Sequence, residues 1–398
     1  MRQAAATFAH ERPSLRPLRA GPIGRHLVDV TMLYSPTSGG VRRYLLTKHD
    51  WLRRHTRVKH TILVPGAENS GLPYGVMHLA SLALPMGDGY RVPVRMRAWR
   101  ERLARLTPDL IEVGDPYHVA WQALEVAKRR NIPTVAFCHS DVITLAGSRF
   151  GAAGRRGASR YIARLYSGFD LVLAPSAVVA RRLAAAGVGN VEIQPLGVDT
   201  ATSTPSACDP GIRLALGIPV DARLLVFAGR MSVEKRVRDL MAAARTLGRP
   251  YHLLLVGGPS RRRIAPNITL LEYQQDPRQL ARILASCDVF LHAGDQETFG
   301  LVVLEAMACG LPIVAARSGA LEELVDVSVG ETFCARDPQD LVMAVDRLYE
   351  RDLAVLGRAA RRRAESYSWD AAFTQLIGRY WRLMAASGST LREVRRVG

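Results

Sequence analysis

Two glutamates with seven residues between them have the clearest potential for chemistry in this sequence. Glu297 follows an apolar run at residues 288–291, and Glu305 lies inside an apolar segment. A strand that leads through a polar loop into a helix is where open α/β sheets bind phosphorylated ligands, because the first helical N–H groups are unpaired. Glu305 would lie about 12 Å further along that helix. The pair can therefore contact two parts of one long polar ligand, although two surface glutamates on an amphipathic helix are the alternative.

Two cations precede this segment in a similar setting. Arg230 follows Gly229 at the end of an apolar run, and Lys235 opens the next helical stretch. An arginine can grip a phosphate with two hydrogen bonds while a lysine supplies a point charge, so the spacing suits a diphosphate. Solvated loop charges are the alternative. Gly40, in the run Ser38-Gly39-Gly40-Val41, would let a backbone approach a ligand at a helix start, which is a weak signal by itself.

His139 ends a predicted strand and is the candidate acid, base or hydrogen-bond donor, although a histidine that caps a loop would look the same. Asp115 and Asp141 are weaker candidates at similar strand ends. The sequence has no spacing typical of metal ligands. The charge of a departing phosphate would then be met by Arg230, Lys235 and helix dipoles, so we expect neither a metal nor another cofactor.

Composition limits the class of protein. The chain has 398 residues, 48% of them hydrophobic, and no apolar run of membrane-spanning length. Its net charge of +18 attracts polyanions, which include phosphorylated substrates, an anionic membrane and nucleic acid. Nucleic acid is the minor alternative, because we find no zinc finger or helix-turn-helix pattern. Five widely spaced cysteines suggest reduced, buried thiols and a cytoplasmic location.

One basic segment has two interpretations. Residues 95–106 place Met96, Trp99, Leu103 and Leu106 on one helical face, surrounded by arginines. This helix either binds a membrane surface or packs its apolar face on a sheet and leaves a charged outer face.

Apolar runs alternate with helical stretches along the whole chain and indicate an α/β protein with two doubly wound, Rossmann-like domains around a cleft. We predict five regions from this alternation. They are a disordered basic tail (1–25), a first Rossmann-like domain (26–195), a linker (196–210), a second Rossmann-like domain (211–368) and a C-terminal helix that packs back across the domain junction (369–398). The predicted strands are 26–34, 60–64, 110–113, 134–138, 171–174, 191–194, 224–228, 252–256, 269–272, 289–292 and 313–315. Between the strands at 134–138 and 171–174 we predict a helix over residues 161–168.

Together these residues resemble the retaining, nucleotide-sugar-dependent glycosyltransferases of family four, the group 1 class with the GT-B fold. The resemblance covers residues 26–380 and implies that the first domain is the acceptor side and that the second domain binds the nucleotide sugar. Its most specific element is the Glu-x7-Glu motif, matched by Glu297 and Glu305. Other matching residues are Gly39, Gly40, His139, Gly229, Arg230, Glu234 and Lys235. Arg236 departs from the family, which usually has glycine there.

The resemblance implies a role for each matched residue. Arg230 and Lys235 would hold the donor diphosphate, Glu305 the ribose and Glu297 the transferred hexose. Phe299 and Gly300 would present backbone amides, Gly40 and Leu301 would line the donor site, and His139 would contact the hexose near the reaction centre. The reaction would retain anomeric configuration without a protein nucleophile.

The expected reaction moves a mannose- or glucose-type hexose from a GDP- or UDP-sugar to a lipid or polysaccharide hydroxyl. Its expected place is the cytoplasm, with peripheral binding to the inner face of the membrane as an option. An epimerase or a glycosyl phosphorylase on the same fold remains an alternative, as does a polyanion-binding protein without catalysis.

Overall fold

The computed structural model describes residues 24–35, 39–66, 75–83 and 89–397, with side chains up to residue 387. Ser38 and nearly all of the expected basic tail lie outside these residues. The described chain forms two seven-stranded sheets and one small two-stranded sheet. Each large sheet is built from strand-helix repeats, and together they give the two doubly wound units that the alternation of apolar runs predicts.

The first unit has the strand order β3-β2-β1-β6-β7-β8-β9, and all of its strand pairs are parallel. Strands β4 and β5 form the small antiparallel sheet. The strands are β1 (His26–Val30), β2 (Lys59–Gly66), β3 (Val76–Ala80), β4 (Leu82–Ala83), β5 (Arg91–Val92), β6 (Leu110–Val113), β7 (Thr134–Phe137), β8 (Leu171–Ala174) and β9 (Val191–Ile193). The helices are α1 (Gly40–His55), α2 (Met96–Arg105), α3 (His118–Arg130), α4 (Val142–Tyr166) and α5 (Ala177–Ala185).

The second unit has the order β12-β13-β11-β10-β14-β15-β16, in which only β12 is antiparallel to its neighbour. The strands are β10 (Arg223–Ala228), β11 (Tyr251–Gly258), β12 (Arg262–Ala265), β13 (Ile268–Glu272), β14 (Val289–His292), β15 (Ile313–Ala316) and β16 (Gly330–Phe333). The helices are α6 (Gly211–Ala215), α7 (Val237–Leu247), α8 (Pro277–Ala285), α9 (Leu301–Ala308), α10 (Leu321–Leu324), α11 (Pro338–Tyr349), α12 (Leu353–Glu365) and α13 (Trp369–Val397).

Both faces of each sheet are covered. Neighbouring strand residues point to opposite layers, so that Leu27 joins one apolar cluster and Val28 another. One cluster runs without interruption from the first unit into the second, where it includes Phe290 of β14. Strands buried on both faces need continuous apolar runs, which is why these strands were recognisable from the sequence.

Helix α13 begins at the junction of the two units and returns to the first. Ser368, just before it, bridges to Val198 of the linker, and the Trp51 indole N–H donates to Asp370 at 2.7 Å. Further along, Arg379 pairs with Glu192 at 2.6 Å. The last helix thereby ties the end of the chain to the first domain.

The structure corrects the sequence interpretation at helix α4. We predicted a helix only over residues 161–168, but α4 begins at Val142 and is kinked at Phe150 and Gly151. The glycine-rich, arginine-rich stretch around the kink has no apolar period, because most of it faces solvent. Strands β3, β4, β5, β12 and β16 were also absent from the predicted set.

The basic helix α2 follows the second of its two interpretations. Trp99 and Leu103 are each only 2% exposed and join the apolar cluster under the first sheet. The apolar face of α2 is therefore engaged inside the domain, and its arginines form the outer face. The cysteines also differ in part from expectation, since Cys208 and Cys334 are exposed rather than buried.

Among the helices of the described chain, none is both long and apolar enough to cross a membrane.

Candidate active site

The loop between β14 and α9 holds Glu297 between a cation and an imidazole. The Lys235 ammonium donates to the Glu297 carboxylate, and His292 Nε2 lies 3.2 Å from the same oxygen. His292 Nδ1 accepts from the Gly294 N–H at 3.1 Å, which leaves the ring proton on Nε2, facing Glu297. Burial opposes the charge of Glu297, but Lys235 and His292 outweigh it and lower the pKa of the carboxyl below its usual value. Glu297 is therefore an anion at neutral pH.

Lys235 owes its position to an unusual backbone turn. It ends a short 3-10 helix, and Arg236 then adopts a left-handed conformation with φ of +53° before α7 begins. The Arg236 Nε donates to Asp239 at 2.8 Å, which anchors the side chain on the first turn of α7. The departure from the family's glycine therefore leaves the loop in a conformation that a glycine would adopt readily.

Arg230 does not join this group. Its guanidinium lies 3.5 Å from Glu234, and about half of its side chain is exposed. The turn before it is tight, because a Cβ on Gly257 would lie only 1.9 Å from the carbonyl oxygen of Gly229. The neighbouring ends of β10 and β11 thus approach too closely for a side chain, and the half-exposed Arg230 follows directly after this close approach.

The start of α9 offers unpaired backbone donors. Within the described residues, the N–H groups of Phe299, Gly300 and Leu301 have no acceptor. Gly300 has φ of +90°, and a Cβ there would lie 3.1 Å from Leu324. The Phe299 side chain is buried, so only its backbone remains available to a ligand. These donors and the positive end of the helix dipole make an anion site next to Glu297 and Lys235.

His139 reaches the same loop from the first domain. Its carbonyl accepts from the Thr298 hydroxyl at 3.2 Å, and its ring stacks on Phe137 with a centroid distance of 4.2 Å. Burial, together with the nearby charge of Lys48, lowers the pKa of His139 to about 3. The imidazole is therefore neutral at physiological pH and suited to hydrogen bonding, whereas its charged acid form is not populated.

The starts of α1 and α9 meet across the cleft. A Cβ on Gly40 would lie 3.3 Å from Leu301 Cδ1, and one turn further along each helix Arg43 forms an ion pair with Glu305. Glu305 is only 9% exposed, so this arginine is the dedicated partner that its apolar neighbours lead one to expect. Arg43 was not among the site residues predicted from the sequence. Its position in the first turn after the double glycine was the available signal.

A second contact between the domains uses a helix cap. The carboxylate of Glu323, in the short helix α10, accepts from the N–H groups of Ala177 at 2.9 Å and Val178 at 2.5 Å, at the start of α5. This is the position in which a carboxylate stabilises a helix terminus.

The two weaker candidates from the sequence, Asp141 and Asp115, both have structural roles. Asp141 caps α4 through the Thr144 N–H, and Asp115 accepts from the Thr31 hydroxyl at 2.8 Å.

A buried polar network, also missed from the sequence, lies behind His139. Lys48 is fully buried and donates to Asp29 at 2.8 Å and to the Tyr380 hydroxyl of α13 at 2.9 Å. Glu112 lies 3.2 Å from the Lys48 ammonium, and burial raises the pKa of Glu112 to about 7. Tyr44 donates to Glu112 at 2.9 Å while its ring contacts that of His139 at 4.9 Å. The network thus supports one side of the histidine.

The site lies where the two domains meet. It combines an anion-binding helix start with two ion pairs, Lys235–Glu297 and Arg43–Glu305. Such a surface suits a long ligand that carries both phosphate and hydroxyl groups. Among the described residues, no group of three His, Cys, Asp or Glu side chains has the arrangement of a metal site.

Sequence comparisons identify the family. Residues 38–202 match the family described as Glycosyltransferase Family 4, and residues 222–351 match Glycosyl transferases group 1. The chain is 32% identical over 378 residues to the Mycobacterium tuberculosis protein named GDP-mannose-dependent alpha-(1-6)-phosphatidylinositol dimannoside mannosyltransferase, with 88% of this chain and 94% of that protein covered. It is 30% identical to a GDP-mannose-dependent alpha-mannosyltransferase of Mycolicibacterium smegmatis, over 87% of this chain and 94% of that protein.

Solved structures share the architecture. Sucrose-phosphate synthase from Thermosynechococcus elongatus superposes with a TM-score of 0.78 at 20% identity, covering 91% of this chain and 100% of that one. The Anabaena protein HepE, in complex with UDP-glucose, gives a TM-score of 0.71 at 19% identity, over 89% and 99% of the two chains. The chain therefore belongs to the group 1 glycosyltransferases of family four and has their two-domain GT-B fold.

Proposed function

We propose that this glycosyltransferase moves a mannose from GDP-mannose to a hydroxyl group of a glycolipid, with retention of anomeric configuration. The single observation that carries the proposal is the Lys235–Glu297 pair beside the unpaired N–H groups of α9. A cation and free backbone donors suit a diphosphate, and the adjacent carboxylate suits the hydroxyl groups of a sugar.

The choice of donor and acceptor rests on the relatives. Both mannosyltransferases described above are named as GDP-mannose-dependent, and one name specifies a phosphatidylinositol dimannoside. A glucose-type hexose, a UDP-linked donor and a polysaccharide acceptor are the alternatives that the experiment below would reveal.

In the proposed mechanism the cations stabilise the leaving group. Lys235 has three N–H donors, so it can keep its bond to Glu297 and still contact a phosphate. Arg230 has a half-exposed side chain next to Glu234, and it would have to turn from this partner to bind the diphosphate. Together with the start of α9 they would offset the charge that develops on the diphosphate, so the proposal requires no metal ion.

The carboxylates and the histidine orient the donor. Glu297 is held as an anion and would accept hydrogen bonds from the hexose. Glu305 would accept from the ribose hydroxyl groups, which requires Arg43 to share that carboxylate or to move away. His139 is neutral and would hydrogen-bond the hexose near C1.

The bond changes then need no covalent enzyme intermediate. The bond between C1 of the hexose and the phosphate oxygen breaks, and the acceptor oxygen bonds to C1 from the same face. The acceptor's proton passes to the departing phosphate oxygen. We place this reaction in the cytoplasm, at the inner face of the membrane when the acceptor is a lipid.

The test has two stages. In a thermal-shift panel of GDP, UDP and ADP, we expect GDP to stabilise the protein most. Incubation with radiolabelled GDP-mannose and a glycolipid extract should then give an α-linked mannolipid, and Lys235→Ala should give almost none. Lys59→Ala, which removes an exposed lysine on β2, is the matched control.

Three outcomes would contradict the proposal. A β-linked product would refute retention. Release of an epimerised sugar without acceptor, or of mannose 1-phosphate in inorganic phosphate, would replace transfer by one of the other reactions. An unaltered product yield in Lys235→Ala would remove the assigned role of the lysine.

A further inference from the structure

The positive charge of the protein is concentrated in one layer of helices. Helices α2 to α5 cover the same face of the first sheet and share one apolar cluster. Within their bounds they carry fourteen basic residues and only two acidic ones, so twelve of the eighteen excess positive charges lie in this layer. The basic residues are Arg97, Arg100, Arg102, Arg105, Lys128, Arg129, Arg130, Arg149, Arg155, Arg156, Arg160, Arg164, Arg181 and Arg182.

Helix α4 is the most basic member of the layer. It has five arginines and no acidic residue over its 25 positions. Arg149, Arg155, Arg156 and Arg160 are exposed and form no ion pair within the described residues. Arginines on α2 and α3 are partly neutralised, for example by Glu125. These four guanidinium groups of α4 are therefore free to meet an external anion.

The same helix exposes two large apolar side chains. Phe150 stands at the kink and is 68% exposed, and Leu145 is 53% exposed. Gly151, with φ of +62°, turns the chain at this point. Large apolar side chains next to unpaired arginines are the combination by which a protein surface binds an anionic bilayer, with the apolar groups among the lipid head groups.

The kink in α4 also lies near the candidate active site along the chain. Helix α4 starts directly after the His139 loop, where Asp141 caps it. Phe150 is nine residues beyond Asp141, which corresponds to about 13 Å along a helix. A membrane that contacts Phe150 would therefore bring lipid head groups close to the histidine.

We propose that the α4 face, defined as Leu145, Arg149, Phe150, Arg155, Arg156 and Arg160, binds the surface of an anionic phospholipid bilayer. The proposal rests on the proposed function in one respect, since a glycolipid acceptor gives such binding its purpose. A polynucleotide would need the arginines but not the apolar side chains, and this difference separates the two kinds of partner.

The experiment is co-sedimentation of the full chain with vesicles of phosphatidylcholine alone or mixed with phosphatidylglycerol, at low and high salt. We expect binding only to the mixed vesicles, weakened by salt. Replacement of Arg149, Arg156 and Arg160 by alanine should lower the partition coefficient roughly 100-fold, at about fivefold for each arginine. Phe150→Ala should lower it about tenfold, since it removes an inserted aromatic ring.

A matched control removes the same charge elsewhere. The triple replacement Arg238→Ala, Arg245→Ala and Arg358→Ala takes three exposed arginines from α7 and α12 of the second domain. An equal loss of vesicle binding in the control would overturn the proposal, because net charge alone would then explain it. Vesicle binding that does not change in Phe150→Ala would also overturn it, because the surface would then behave toward vesicles as it would toward DNA, for which only the arginines matter.

The outcome is separable from the proposed function. Mannose transfer to a water-soluble acceptor should be unchanged in the α4 triple variant and in Phe150→Ala. Absence of vesicle binding with normal transfer would refute only the membrane surface. Absence of transfer with normal vesicle binding would refute only the proposed reaction.

Discussion

Replacement of Glu297 by glutamine probes the proposed site most directly. The amide keeps the shape of the side chain but removes the negative charge that Lys235 and His292 hold in place. A hydrogen bond to a charged group contributes about 1.5–3 kcal/mol. If that interaction acts on the hexose in the transition state, kcat/KM for GDP-mannose should fall roughly 10- to 150-fold.

The same change should lower stability. The side chains of Lys235 and Glu297 are only 18% and 14% exposed, so the lysine would lose its anion in a partly enclosed site. We expect the free energy of unfolding to fall by about 1–3 kcal/mol. Urea denaturation measures this, and initial rates over a range of donor concentrations measure kcat/KM. Glu322→Gln, at an exposed carboxylate of the same domain, is the control.

Two results would refute the reasoning. An unchanged kcat/KM in Glu297→Gln would show that the anion does not contact the donor. Restoration of turnover by added azide, with a mannosyl azide as product, would show instead that Glu297 is a covalent nucleophile. Both results would leave the family assignment intact and would change only the role of this residue.

Three further predictions concern the backbone, the domain contact and pH. Arg236→Gly should keep turnover and change the free energy of unfolding by less than about 1 kcal/mol, since the left-handed conformation suits glycine; a large loss in urea denaturation would contradict this. In a double-mutant cycle of Arg43→Met and Glu305→Gln, measured by unfolding, the coupling should be about 1–3 kcal/mol, and additive effects would show that the ion pair is absent in solution. Burial lowers the pKa of His252 to about 4. As the pH falls, this histidine is therefore protonated in the unfolded chain before it is protonated in the folded protein. Stability should therefore decrease from about pH 6.5 to pH 4, by at most about 3 kcal/mol, and a His252→Asn variant that keeps the same pH slope would refute this source.

The carboxyl ends of the central strands could be predicted from the sequence, because a buried strand needs an apolar run and that run ends where the chain reaches the polar loop. Strands β10 and β14 are largely apolar runs, and each is followed within three residues by a glycine and a charged residue. This was enough to expect Lys235 and Glu297 on one side of a sheet, and the structure brings them into contact. The roles proposed for them in catalysis stay predictions.

Contacts between distant segments could not be predicted in the same way. The partner of Glu305 is Arg43, in the other domain, and no local sequence pattern predicts which surfaces of two domains will face each other. The Lys48–Tyr380 bond joins residues that are 332 positions apart. The missed part of α4 has a different cause, because a helix that presents most of its surface to water has no apolar period to recognise.

The Lys48 network has a consequence for the order in which the chain folds during synthesis. The buried ammonium needs the Tyr380 hydroxyl, which leaves the ribosome only after the second domain has been made. Until then the Lys48 ammonium has Asp29 and Glu112 beside it but lacks the hydroxyl and the helix that complete its surroundings in the folded chain. The last helix therefore works as a closing piece, and a nascent chain that stops before it should resist proteases poorly even where its first domain is complete in sequence.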